Sequence, residues 1–154
     1  GVQTCALPIS RAGKPIRFAN RALGTGTRVV LDELLAAANL NASDIIGYDH
    51  TEPSHAAVAH AVLSGQADVG LGIEAAAVQA GLGFVPLVQE SYHLVCLKSA
   101  LEQPGIVALQ ALLQTPQWQK AIAAIPGYSA QQSGEVLSLR RVLPWWDYRL
   151  PKAA

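Results

Sequence analysis

Arg17-Phe-Ala-Asn-Arg-Ala-Leu-Gly-Thr-Gly-Thr-Arg28 predicts a short strand, a Gly/Thr loop and the first turn of a helix. A helix that opens from Gly24-Thr25-Gly26-Thr27 presents unpaired backbone N–H groups, two hydroxyls and the positive end of the helix dipole at one point. That is a cradle for a small anion. The same residues also make an ordinary tight turn, with glycine supplying positive φ and threonine capping the helix, and sequence physics leaves both roles open. A nucleotide P-loop is a poor match, since Gly-x-x-x-x-Gly-Lys-Ser/Thr is absent and no lysine follows the loop.

Outward from this stretch, a strand is expected over residues 16–20 and a helix over 27–38, with Val30, Leu31, Leu34, Leu35 and Ala38 as its apolar stripe and Asn39 closing it. Residues 41–44 carry turn chemistry, 45–48 predict a brief strand, and 49–53 form a loop leading to Ser54 as N-cap. The next helix places Ala56, Ala59, Val62 and Leu63 on one face and ends at Ser64-Gly65. A strand at 67–71 and a short helix at 72–79, stopped by Gly81, come next. Strands are expected at 84–88 and 92–97, the latter apolar on both faces.

Beyond Lys98 the pattern becomes helical, with Ile106, Leu109, Leu112 and Leu113 on one face of the first helix. Thr115-Pro116 caps the second, whose stripe is Trp118, Ile122 and Ile125 before Pro126-Gly127. No linker divides residues 10–134, and the alternation of strand and helix predicts an α/β fold. The tail, 136–154, has little periodicity, although Val136, Leu137, Leu139 and the Trp145-Trp146 pair offer docking groups.

Composition narrows the function. The chain has 154 residues, 51% of them hydrophobic, enough for a core, and its 11 basic and 11 acidic residues leave no electrostatic footprint for duplex DNA or an anionic membrane. Residues 1–9 read like the translation of a sequencing-library adapter, which sets Cys5 aside and implies a piece of a longer protein lacking its N-terminal part. Cys96, inside an apolar run, is expected to be buried, and neither a disulfide framework nor a cysteine-ligated metal site can be built.

His50, His55, His60 and His93 have no metal-site spacing, so no metal is expected, and no Gly-x-Ser-x-Gly elbow supports a serine nucleophile. Gly70-Leu-Gly72-Ile-Glu-Ala75 matches a dinucleotide fingerprint. The helix after it is too short for that fold, however, so Gly70 and Gly72 are read as points of close backbone approach. Ser54 and His55 open a second helix whose free N–H groups meet the first cradle if both helices share one sheet edge.

The residues 18–28, with Leu31-Asp-Glu-Leu-Leu35, Gly47-Tyr48, Ser54-His-Ala-Ala-Val-Ala59, Ser64-Gly-Gln-Ala-Asp-Val-Gly-Leu-Gly72, Phe84-Val-Pro-Leu87, Gly127-Tyr128 and Ser133-Gly134-Glu135, resemble the periplasmic-binding-protein-like domain found at the C-terminus of bacterial helix-turn-helix regulators and of some molybdopterin-biosynthesis proteins. The resemblance covers about residues 16–135. It implies a type II periplasmic-binding-protein fold, of which residues 10–135 supply most of the second lobe and the returning helices.

It also implies a non-enzymatic, cytoplasmic sensor of a small anion such as molybdate or tungstate. DNA would be reached only through a separate N-terminal module, with no membrane partner and with a homodimer of the longer protein left open. The ligand-binding residues it implies are Thr25, Gly26 and Thr27 on one helix and Ser54 and His55 on the other, with Tyr92 as a further donor. Arg28 either reaches the site or pairs with a nearby acid. An accessory domain of a molybdenum-cofactor enzyme and a secreted transport receptor are the alternative functions.

Overall fold

The computed structural model describes residues 10, 11 and 14–145; the adapter-like residues 1–9 and the tail from Trp146 onward lie outside them. The chain forms two compact units, one up to Tyr92 and one from His93.

In the first unit, β1 (Ser10–Arg11) and β2 (Lys14–Pro15) make a small antiparallel pair. The principal sheet follows, built from β3 (Phe18–Arg21), β4 (Thr51–Glu52) and β5 (Val69–Gly70) in the order β4-β3-β5, all parallel. Helix α1 (Gly26–Ala37) connects β3 to β4, α2 (His55–Leu63) connects β4 to β5, and α3 (Glu74–Gln79) follows β5. This is the expected α/β arrangement.

Parallel strands need crossover helices, and those helices cover both sheet faces. Phe18 packs on one side of β3 with Leu31 and Leu35 of α1; Ala19 packs on the other with Val58 and Ala61 of α2 and with Ala67. Phe18, Ala19 and Asn20 are consequently all buried. Asn20 is satisfied by donating from Nδ2 to the Tyr48 carbonyl at 2.8 Å and accepting the Arg21 amide at Oδ1, also at 2.8 Å.

Local chemistry fixes the helix ends. The Thr25 hydroxyl accepts from the Arg28 amide and the Ser54 hydroxyl from the Ala57 amide. Asn39, with φ +53°, ends α1, and Gly65 and Gly81 take positive φ after α2 and α3.

Four expectations up to Leu97 are corrected. Residues 45–48 form no strand. Ile46 makes one parallel bridge to Arg17, then Gly47 at φ +89° turns the chain, and regular pairing resumes only at Thr51. The buried face of α2 is Val58, Ala59 and Ala61 with Val62 beside them, while Ala56 and Leu63 are exposed, because an alanine-rich helix gives little contrast between faces. Residues 84–88 and 92–97 form no strands either. A strand exists only through a hydrogen-bonded neighbour, and among the described residues none pairs with these runs. Leu94, Val95 and Leu97 are exposed, and so is Cys96, against its expected burial.

The Asp68 carboxylate ties the start of β3 to β5, accepting from the Arg17 amide at 2.9 Å and from Nε and Nη2 at 3.0 and 2.9 Å. Hydrogen bonds from Arg17 hold its pKa down at about 2. A carboxylate depressed in the folded state stabilises above its unfolded pKa and loses that contribution as pH falls through the folded one. Thermal stability is therefore expected to decline between pH 4 and pH 2, and the decline should be shallower in Asp68→Asn. Parallel melting curves for the two proteins would remove this linkage.

In the second unit α4 (Pro104–Leu113), α5 (Pro116–Ala123) and α6 (Leu139–Val142) follow a 3₁₀ turn at Lys98–Ala100. Thr115 caps α5 with Pro116 at its first position, as expected. Of the Trp118, Ile122 and Ile125 stripe the first two are part-buried and Ile125 is exposed, and no described residue after His93 is fully buried. Polar ties hold the unit instead. Gln110 and Gln114 both donate through Nε2 to the Gly134 carbonyl, and Trp118 Nε1 donates to Ser133 Oγ at 2.9 Å.

Candidate anion site at the carboxyl ends of the strands

In the β4-β3-β5 order the chain leaves β3 for one side of the sheet and crosses back over it to the other. Successive connections in opposite directions leave a crevice at the carboxyl ends of the strands, where open α/β sheets bind ligands. The helices after β3 and β4 both start at this edge. Their capped first turns leave the amides of Gly26 and Thr27 on α1, and of His55 and Ala56 on α2, as free donors.

Arg21, which the sequence does not mark as a ligand contact, stands at this edge. It ends β3 two positions after Ala19, so it emerges on the α2 side of the sheet. Its Nε and Nη1 are shut off from solvent and have no hydrogen-bond partner. Its backbone is fixed at both ends: Asn20 Oδ1 accepts from the amide, and the carbonyl accepts from Arg28 Nη1 at 3.4 Å.

His55 opens α2, and its Nδ1 is likewise buried and without a partner. Burial first, and then the Arg21 charge, lower the His55 pKa, with Glu90 acting the other way. Gly72, just past β5, lies beside the His55 ring, and an added Cβ there would stand at ordinary contact distance, 3.7 Å, from Nδ1. Three orphaned nitrogens thus belong to residues at the carboxyl edge of the sheet, Arg21 ending β3 and His55 opening α2. Buried donors of this kind are costly without a partner, and an anion supplies one.

The other residues named from sequence fall as follows. Thr25 is the α1 cap, and its hydroxyl also donates to the Ala22 carbonyl at 2.9 Å. Gly26 has open space around its Cα, and Thr27 follows it in the first turn. Ser54 caps α2.

The sequence left Arg28 between two roles, and the structure pairs it with an acid. It is buried, donates to Asp32 Oδ1 at 3.2 Å and stacks 3.8 Å above the Tyr48 ring, whose hydroxyl donates to the same Asp32 oxygen at 2.7 Å. Tyr92 is 71% exposed, with its hydroxyl 3.5 Å from Glu90 Oε2.

Gly70 has the close approach expected of it, since a Cβ would come within 2.5 Å of Val58 Cγ1 and 3.0 Å of the Ala19 carbonyl; Gly72 is the roomier of the two. Among the described residues no group of three His, Cys, Asp or Glu side chains is placed to hold a metal, and no helix is long and apolar enough to cross a membrane.

A sheet-edge crevice of this kind agrees with the family to which the chain belongs, the PBP superfamily domain, whose model matches residues 8–114. The chain is 35% identical over 122 residues to the uncharacterized protein YvgK of Bacillus subtilis, covering 79% of this chain and 39% of that protein. It is also 28% identical over 111 residues to an uncharacterized protein encoded in the 5′ region of a 2Fe-2S ferredoxin gene of Clostridium pasteurianum, covering 71% of this chain and 98% of that one. The chain therefore spans about two fifths of the first relative and nearly all of the second. No solved structure matches it.

Proposed function

We propose that this domain binds a small oxyanion of the molybdate or tungstate class at the crevice closed by Arg21 and His55, as the sensing part of a bacterial transcriptional regulator. The observation that carries the anion assignment is the pair of solvent-excluded, partnerless nitrogens on Arg21 at the carboxyl end of the central strand. The amides of Gly26, Thr27 and His55, with the Ser54 hydroxyl, are the neutral donors that complete the shell.

On this reading the fold is of the type II periplasmic-binding class, and the domain closes on its ligand together with a second lobe belonging to a longer protein. Closure then biases a linked DNA-binding module through its differential affinity for the closed form. No group here is asked to do chemistry, and binding alone suffices. Hydrogen bonds to a charged partner contribute about 1.5–3 kcal/mol each, so four or five of them support affinities in the micromolar range or tighter.

Calorimetric titration with molybdate, tungstate, sulfate and phosphate tests the assignment, using both this chain and its longer Bacillus relative. Heat with one of the four is expected. Silence from all of them in both proteins would end the oxyanion reading.

A further inference from the structure

The first unit has a core and the second lacks one. Phe18 and Ala19 anchor two buried clusters in the first, whereas no described residue after His93 is fully buried. What the second unit leaves open is specific. Alternation along an extended chain puts Leu94 and Cys96 on one face of the run 93–97 and Val95 and Leu97 on the other. Leu94, Val95 and Leu97 are 74%, 79% and 76% exposed. Among the described residues, the one backbone hydrogen bond of this run is that which the Leu97 carbonyl accepts from the Ala100 amide.

A run apolar on both faces suits an inner strand of a parallel sheet, buried above and below and paired at both edges. The 3₁₀ turn at Lys98–Ala100 leads from it into α4, which carries no charged residue and whose one long polar side chain, Gln110, is tied to the Gly134 carbonyl. Ile106, Gln110 and Leu113 share a half-buried face, while Val107, Leu109 and Leu112 around it are exposed. A helix apolar nearly all round is one that belongs in an interior. Strand, short connection and helix make a βα unit, whose helix packs back on the sheet that its strand enters. One sheet therefore accounts for both bare surfaces.

A second copy of this chain does not supply that sheet. Two copies of 93–97 related by a twofold axis share one edge and leave the outer edge of each strand bare. The occupant must bring strands to both edges, and the chain spans only about two fifths of the Bacillus relative, which leaves ample length for them in a protein of that kind. We propose that residues 93–97 and α4 dock as inner strand and covering helix on a parallel sheet formed by further chain of a longer protein, so that the second unit belongs to the partner lobe and only the first folds around a core of its own. This rests on the two-lobe part of the reading above and not on the anion.

Hydrogen–deuterium exchange on the full chain and on the intact Bacillus relative tests this with no ligand present. A match of 122 residues in a chain of 154 necessarily includes 93–97, so the aligned segment of the relative is defined. In this chain the amides of 94–97 are expected to exchange at unstructured rates while those of β3 stay protected, and sedimentation should show no dimer. In the relative the aligned amides should exchange at least about 100-fold more slowly. A substitution gives a second readout. Val95→Asp should leave the melting midpoint of this chain unchanged, because the side chain is already in water, whereas the matching change in the relative buries a charge and should lower its midpoint by about 5 °C or more.

Equal exchange in the two proteins, or a relative that tolerates the aspartate, would overturn the proposal and leave the anion site untouched. A dimer of this chain with 94–97 protected would overturn it as well, in favour of a second copy. Silence in the anion titrations, by contrast, removes the ligand reading and leaves this one standing.

Discussion

Arg21→Met is expected to weaken oxyanion binding by about 100-fold while leaving the ligand-free protein at least as stable as before. The two halves of this expectation have one cause. Nε and Nη1 of Arg21 are buried without partners, and a buried donor left unsatisfied costs about 1–3 kcal/mol. Methionine has similar length and no polar atom, so it removes that cost and keeps the packing.

When the anion is present, the same two N–H groups supply two charge-assisted hydrogen bonds in the fixed fork that matches an oxyanion edge. Losing about 3 kcal/mol of binding is two orders of magnitude in Kd. Arg21→Lys keeps the charge and loses the fork, so it should fall between the two proteins. Calorimetry and thermal melts on all three provide the check. A methionine variant that melts well below the parent, or that binds as tightly, would mean that Arg21 is a framework residue.

The largest expected loss of stability comes from a single methyl group at Gly47. This residue sits at φ +89°, and a Cβ built there would lie 2.2 Å from the Phe18 carbonyl oxygen. The backbone conformation alone costs an L-residue about 1–2 kcal/mol. The collision is with main chain, so no side-chain rotation relieves it, and the strand must shift.

That shift pulls on the bond from the Phe18 amide to the Ile46 carbonyl, 2.7 Å long, and on the burial of Phe18 itself. Gly47→Ala is therefore expected to cost about 3 kcal/mol or more, a large share of the 5–15 kcal/mol typical of a folded domain. Urea unfolding measures it directly. A loss under about 1 kcal/mol at unchanged slope would show that the 45–50 loop relaxes freely.

The helix starts were readable in the sequence because capping is local. Thr25, Ser54 and Thr115 each signal a helix start through residues within one turn, and each caps as expected. Arg21 was hidden for the opposite reason. It stands inside the very motif that marks the turn, but its importance depends on its strand lying between two others and on the face it shares with Ala19. The available signal was a cation ending a strand directly before a glycine turn.

Arg28 shows a mixed case. Asp32, one turn further on, was visible as a partner at i+4, whereas Tyr48 reaches it only through the fold. Residues 84–97 carry a strand-like composition, but pairing is never a property of one segment, and exposed Leu94 and Val95 record the missing neighbour.

The crossing of the chain over β3 makes framework and ligand choice separable. The crevice exists because β4 and β5 flank β3 on opposite sides, and that arrangement is secured by Phe18, Ala19, Asn20, Gly47 and Gly70, none of which contributes a free donor to the crevice. Arg21, His55 and Gly72 sit at the rim of this scaffold. Selection can therefore retune what the domain recognises by exchanging rim side chains, with the cost of building the sheet already met by residues that never see the ligand.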